Sequence, residues 1–200
     1  PLESLKESFN TLDLNQEKII SSYKKSNDVF LTIKLLLDNC ISFGTMPFSI
    51  LARYAFIANS LIRSLIDEQL LSFERSNQFF NSITTIATNL IGDLDSFYKG
   101  KLNKDDFLKI YGHLRPGTYD INSKKYSENF DNYFNLKYHK KSNQENKDIN
   151  FTLNNDEIRN INNIKRKNNF SFDVHELLSF SKSAISLREF GKFKFTKSIS

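Results

Sequence analysis

The sequence predicts a mostly α-helical, bundle-like domain carrying an irregular Gly/Pro turn segment and a polar insert. Three observations predict it. Apolar residues recur at spacings of three and four through most of the first hundred positions. The connections between these runs are short, which favours antiparallel packing of neighbouring helices. No βαβ pattern and no internal repeat interrupts them.

Each element follows from its own pattern. Residues from about 14 to 43 place Ile19, Ile20, Tyr23, Val29, Phe30, Ile33, Leu36, Leu37 and Ile41 at helical spacing, and Gly44 offers a left-handed stop. A fresh helix is expected from Thr45-Met46-Pro47 to about Glu68, with Pro47 in the first turn, where its missing N–H costs nothing. Its stripe is Phe48, Leu51, Tyr54, Ala55, Ala58, Leu61, Ile62 and Leu65, with Arg53 and Arg63 off it. Ser72 can cap a third long helix that carries Phe73, Phe79, Phe80, Ile83, Ile86, Leu90, Leu94 and Phe97 and stops at Gly100. Asn103 can cap a short helix through Phe107 and Tyr111, ended by Gly112. Arg115-Pro116-Gly117-Thr118 suits a type II turn, in which Gly117 accepts a positive φ. Residues 137 to 151 read as an exposed polar loop, followed by a modest helix from Asn155 to about Lys167. Asp173-Val174-His175-Glu176 reads as a capping box opening a last helix with Leu177, Leu178, Ser181, Ala184, Ile185 and Arg188 on one face. The organisation is then 1–136 helical, 137–170 polar insert and 171–200 C-terminal helix.

Composition sets the class. A hydrophobic fraction of 39% and a charged fraction of 26% in 200 residues suit a soluble globular chain, and no apolar stretch reads as long and uncharged enough to span a bilayer. The net charge is +5, much of it between Lys137 and Asn168, and reads as a solvated Lys/Asn-rich face rather than a nucleic-acid site. The single cysteine, Cys40, lies in an apolar helical run and reads as a buried thiol of a reduced, cytoplasmic protein. The chain opens Pro1-Leu2-Glu3 with no initiator Met and ends just after a patterned helix, so a segment of a longer polypeptide is expected.

Generic catalytic motifs are missing. There is no Gly-rich phosphate loop and no Gly-x-Ser-x-Gly elbow. His113, His139 and His175 are far apart and none has metal-ligand spacing, so no metal site is expected. His139 and His175 read as solvated, and so do the carboxylate pairs Asp93/Asp95 and Asp105/Asp106. The exception is Tyr111-Gly112-His113-Leu114-Arg115-Pro116-Gly117-Thr118-Tyr119-Asp120-Ile121, followed by Tyr126. It gathers an imidazole, a guanidinium, a carboxylate and phenols around a turn past a helix end. Arg115 offers a planar fork for a phosphate or carboxylate, and His113 can donate to a phosphoryl oxygen or move a proton. The alternative is a structural turn, with Asp120 accepting backbone N–H bonds and Arg115 paired to an acid.

This run resembles the central region of phosphoenolpyruvate-synthase-like proteins, in a layout similar to the rifampicin phosphotransferases. Phe43-Gly44-Thr45-Met46-Pro47-Phe48-Ser49-Ile50-Leu51-Ala52-Arg53 and Ala184-Ile185-Ser186-Leu187-Arg188-Glu189-Phe190-Gly191-Lys192-Phe193, with Phe195-Thr196-Lys197, resemble two further helical segments of that family. The resemblance covers about Ile41 to Ser200, least around 139–169. It implies a pyruvate, water dikinase-like phosphotransferase of three parts. An ATP-grasp domain before this segment binds ATP and Mg2+, a mobile phosphohistidine domain follows it, and this middle domain holds a small-molecule acceptor. The segment alone is then inactive. Carried over, His113, Arg115 and Asp120 would line the acceptor or phosphohistidine docking site, with Arg53, Arg188 and Lys192 as further anion-binding positions. Gly112, Pro116 and Gly117 would shape the turn. Two other expectations stand beside this one: a non-catalytic basic helical binding module, and a structural linker that touches no substrate.

Overall fold

The computed structural model describes residues 2–117, 120, 122–134 and 150–200, and it is mostly α-helical, as the sequence predicts. The elements are α1 (Leu2–Ser26), α2 (Val29–Cys40), a π-helical turn (Ile41–Thr45), α3 (Met46–Asp67), α4 (Phe73–Asn81), α5 (Ile86–Tyr98), α6 (Lys104–Tyr111), α7 (Tyr126–Tyr133), α8 (Asn155–Lys167) and α9 (Val174–Ser198). No strand occurs among the described residues.

Caps that act within one turn fall where the sequence puts them. The side chains of Ser72, Asn103 and Asp173 accept backbone N–H bonds at the starts of α4, α6 and α9. Four boundaries differ. Helix α1 starts at Leu2, a dozen residues before the start expected near 14. The run expected over 14–43 breaks at Asn27, which adopts φ +58°, and Asp28 then caps α2 by accepting from the Leu31 N–H at 3.0 Å. Gly44 ends nothing: it is buried in the π turn, which carries α2 into α3, and a Cβ there would meet Leu12 and Phe195 side chains at 3.4 Å. Its missing side chain serves close packing rather than a left-handed φ. The third long helix splits after Asn81, because Thr85 and Thr88 cap each other reciprocally and start α5 anew.

The continuous run Val29–Asp67 therefore spans 39 residues and contains a stretch of mean hydropathy 1.4, of which 17% is buried. By length and composition it meets the requirement for crossing a membrane, which corrects the expectation that no stretch does.

Three apolar clusters hold the domain among the described residues. One joins Ile62, Leu65, Phe79, Phe151, Leu153, Ile161, Val174 and Leu178. A second is Phe9, Leu12 and Leu51, with Leu187 and Phe190 against them. The third is Phe107, Tyr111 and Phe130, with Leu94, Phe97, Phe134 and Phe193 packed around. Helix α9 contributes to all three, with its broadest packing against α3. Each fully buried Phe or Leu contributes about 1.5–3 kcal/mol. Gly191 lets α9 close on the others: a Cβ there would lie 2.9 Å from Phe9 and 3.1 Å from Leu51.

The stretch 137–151 lies outside the described residues up to residue 149. Phe151, expected to be exposed, is instead buried against Phe79. The segment after it is tied down by a pair 82 residues apart in sequence. Arg75 grips both carboxylate oxygens of Glu157 at 2.8 and 3.0 Å, and its guanidinium lies 4.5 Å from the centre of the Phe151 ring. Glu157 also accepts the Asn154 N–H, completing the cap of α8. The Arg75 hydrogen bond leads in holding the Glu157 carboxyl below its ordinary range, against the effect of burial.

Candidate functional site

Helix α6 ends at Tyr111 and the chain turns inward. The Leu114 N–H donates to the Tyr111 carbonyl, the Ser127 N–H to Gly112 and the Tyr126 N–H to Leu114, at 2.8–3.0 Å. These bonds seat residues 112–114 on the start of α7. Gly112 has an ordinary helical φ of −59°, yet a Cβ there would lie 2.4 Å from the Leu108 carbonyl oxygen. Close approach, not a positive φ, demands glycine.

This seat directs His113 onto α9. Its ring meets Phe193 edge to face, with centroids 4.7 Å apart. Its Nε2 is buried and makes no hydrogen bond among the described residues. Burial first, and then the Lys197 ammonium, push its pKa down to about 4, against the opposing pull of the Phe193 and Ile110 carbonyls. Lys125 adds a smaller push in the same direction, while its own Nζ donates to the Ser200 carbonyl at 2.7 Å. The imidazole is therefore neutral at pH 7 and sits in a positive field.

Next to it, the buried Tyr111 hydroxyl donates to Asp93 at 2.7 Å. Burial, then Asp93, raises the phenol well above its ordinary range. Asp93 thus differs from the solvated carboxylate expected: it is partly covered and bound to a phenol. Asp95 and Asp106 are engaged near the surface by Lys99 and Lys109.

The rest of the motif follows this seat along the chain. Arg115 is half-buried and Pro116 exposed. Gly117 has no positive φ, so the expected type II turn is not formed. The chain instead closes one turn later, through the Asp120 N–H to the Gly117 carbonyl at 3.0 Å. A Cβ on Gly117 would lie 3.0 Å from Asp120 Cβ, which explains the glycine. Asp120 is exposed, and its carboxylate accepts the Asn122 N–H at 3.0 Å, the local bond of the structural alternative. Thr118, Tyr119, Ile121 and His139 lie outside the described residues.

The remaining candidates lie on α3 and α9. Arg53 is exposed on the outer side of α3. Arg188 forms an ion pair with Glu189, its neighbour on α9, so its charge is already met. Lys192 lies one turn further along α9 and is half-buried. His175 is exposed at the cap of α9 and Cys40 is buried, both as expected. No group of three or more His, Cys, Asp or Glu among the described residues is placed to hold a metal.

Sequence reasoning gave no role to Phe193, Lys197 or Lys125. The four-residue spacing of Phe193 and Lys197 puts them on one face of α9, but only the fold brings that face to His113. The chain is thus a mostly α-helical domain with a neutral, half-buried histidine between a helix end and a long C-terminal helix. No protein-family model, curated protein or solved structure matches it.

Proposed function

We propose that this chain is the acceptor-side helical segment of a phosphoenolpyruvate-synthase-like, ATP-dependent phosphotransferase, and that His113 and Arg115 line the site where the acceptor or the phosphohistidine docks. The observation that carries this reading is the unpaired, buried Nε2 of His113 within the motif that resembles the family. A buried nitrogen without a partner costs about 1–3 kcal/mol, and a ligand oxygen would remove that cost. The ammonium groups of Lys197 and Lys125 make the surroundings favourable to an anion. Because the ring is neutral at pH 7, its role is a positioned hydrogen-bonding group rather than a cationic acid. Arg115, two residues on, supplies a planar fork for phosphoryl oxygens.

On this reading a phosphohistidine on a companion domain docks here. Its P–N bond breaks as a P–O bond forms to a small-molecule acceptor. ATP and Mg2+ belong to an ATP-grasp domain of the same parent. The local bond of Asp120 to Asn122 favours a second reading, in which the motif is a structural wedge between helices.

The test uses the parent polypeptide with ATP labelled at the β-phosphate. The expected result is acid-labile, base-stable label on protein, with release of AMP and phosphate. His113→Gln and Arg115→Gln are expected to keep that label and slow its transfer to acceptor by roughly 10²-fold. No label on folded, ATP-binding protein refutes the reading. Transfer unchanged in both variants, with lowered Tm, assigns the motif to structure.

A further inference from the structure

The outer face of α2 is apolar and uncovered. Phe30, Ile33, Leu37 and Ile41 follow one another at spacings of three and four, so they form one stripe, and they are 87%, 50%, 58% and 53% exposed. The helix buries its opposite side through Asn39, whose amide donates to the Leu12 carbonyl of α1. Lys34 and Asp38 lie beside the stripe, on the same flank. They are four residues apart, yet neither makes an ion pair among the described residues.

We propose that this face pairs with the same face of a second copy of the chain, in an antiparallel two-fold contact centred near Leu36. Three observations select this occupant. The first is charge. A two-fold axis at residue 36 sets residue 34 of one copy opposite residue 38 of the other. In antiparallel helices, flanking positions on the same side meet. Lys34 and Asp38 therefore form two reciprocal cross-copy pairs, as an isologous interface requires. The second is position. The middle of the apolar stripe falls at the same point along the helix as the middle of the charge pair. The third is area. With aromatic side chains offering about 150–250 Å² and aliphatic ones somewhat less, and three of the four about half exposed, the stripe presents on the order of 450 Å² per copy, and the exposed flanks bring the patch towards the ~800 Å² of a standard interface. A lipid occupant fits less well, since Lys34 and Asp38 would each cost about 2.5–3.5 kcal/mol at the centre of a membrane helix. This inference does not depend on the phosphotransferase reading.

Sedimentation velocity of the protein across a concentration series tests it. The expected result is a reversible dimer. Lys34→Glu leaves both flanking positions acidic and Asp38→Lys leaves both basic, so each variant alone is expected to dissociate at least 10-fold more readily. Mixing the two variants is expected to restore a dimer, because each then meets its complement. These surface changes leave the core intact, and circular dichroism checks that both variants fold. A monomeric wild type at high concentration overturns the proposal, and so does a dimer indifferent to either charge change. Wild-type monomer that floats with anionic vesicles and loses that binding in Phe30→Ser would assign the face to lipid instead.

Discussion

The neutral state of His113 has a measurable consequence for acid stability. In the unfolded chain this imidazole takes a proton near its ordinary value of 6.5, whereas in the fold it resists down to about 4. Between these values the unfolded state binds a proton that the native state does not. Stability is fully present above 6.5 and is lost as pH falls towards 4. Each pH unit across this window is worth about 1.4 kcal/mol, so the upper bound is about 3.5 kcal/mol. The ring keeps some contact with solvent, and screening reduces the expected loss to about 1–2 kcal/mol. The assay is urea unfolding, followed by circular dichroism, at half-unit steps from pH 7.5 to 4 for wild type and His113→Leu. The difference between the two curves isolates this histidine, because the two proteins share every other ionisable side chain. His113→Leu is expected to be about as stable as wild type at pH 7, since it also removes the unpaired nitrogen, and to gain relative stability steadily below 6.5. Parallel curves would refute the reasoning. So would an NMR titration in which His113 changes near 6.5, because the ring would then be hydrated rather than buried.

Two further outcomes follow from packing and pairing. Arg75→Met leaves Glu157, 8% exposed, without its partner and is expected to cost about 2–3 kcal/mol, with proteolysis appearing first between residues 150 and 170; unchanged unfolding and cleavage would mean that α8 is held by its apolar contacts alone. Gly191→Ala pushes a methyl into Phe9 and Leu51 and is expected to cost about 1–3 kcal/mol in chemical denaturation, and a neutral effect would show that α1 can shift to make room.

What the sequence made legible was what acts within one helical turn. Ser72, Asn103 and Asp173 are caps because a short oxygen-bearing side chain needs only its own next three residues. The break at Asn27 is hidden in the sequence because apolar spacing continues across it, while one residue in a left-handed conformation resets the phase. Gly44 and Gly117 fit positive-φ positions by local pattern and serve instead as places of close approach, a difference that local sequence does not encode. The burial of Phe151 and the Arg75–Glu157 pair depend on partners tens of residues away. At the candidate site, His113 and Arg115 were legible as chemistry-bearing types. The properties that make His113 distinctive come from Phe193, Lys197 and Lys125, which only the tertiary fold assembles.

Helix α9 is a shared wall for all three apolar clusters, and that bears on the order in which the chain can fold as it is made. At about 5–20 residues per second, on the order of 10 s passes between the appearance of residue 1 and that of residue 174. Throughout that interval Phe9, Leu51, Phe79 and Phe107 have only part of their final surroundings. The N-terminal helices must wait as loosely associated hairpins, open to chaperones and to self-association, until a single late segment settles all of them together.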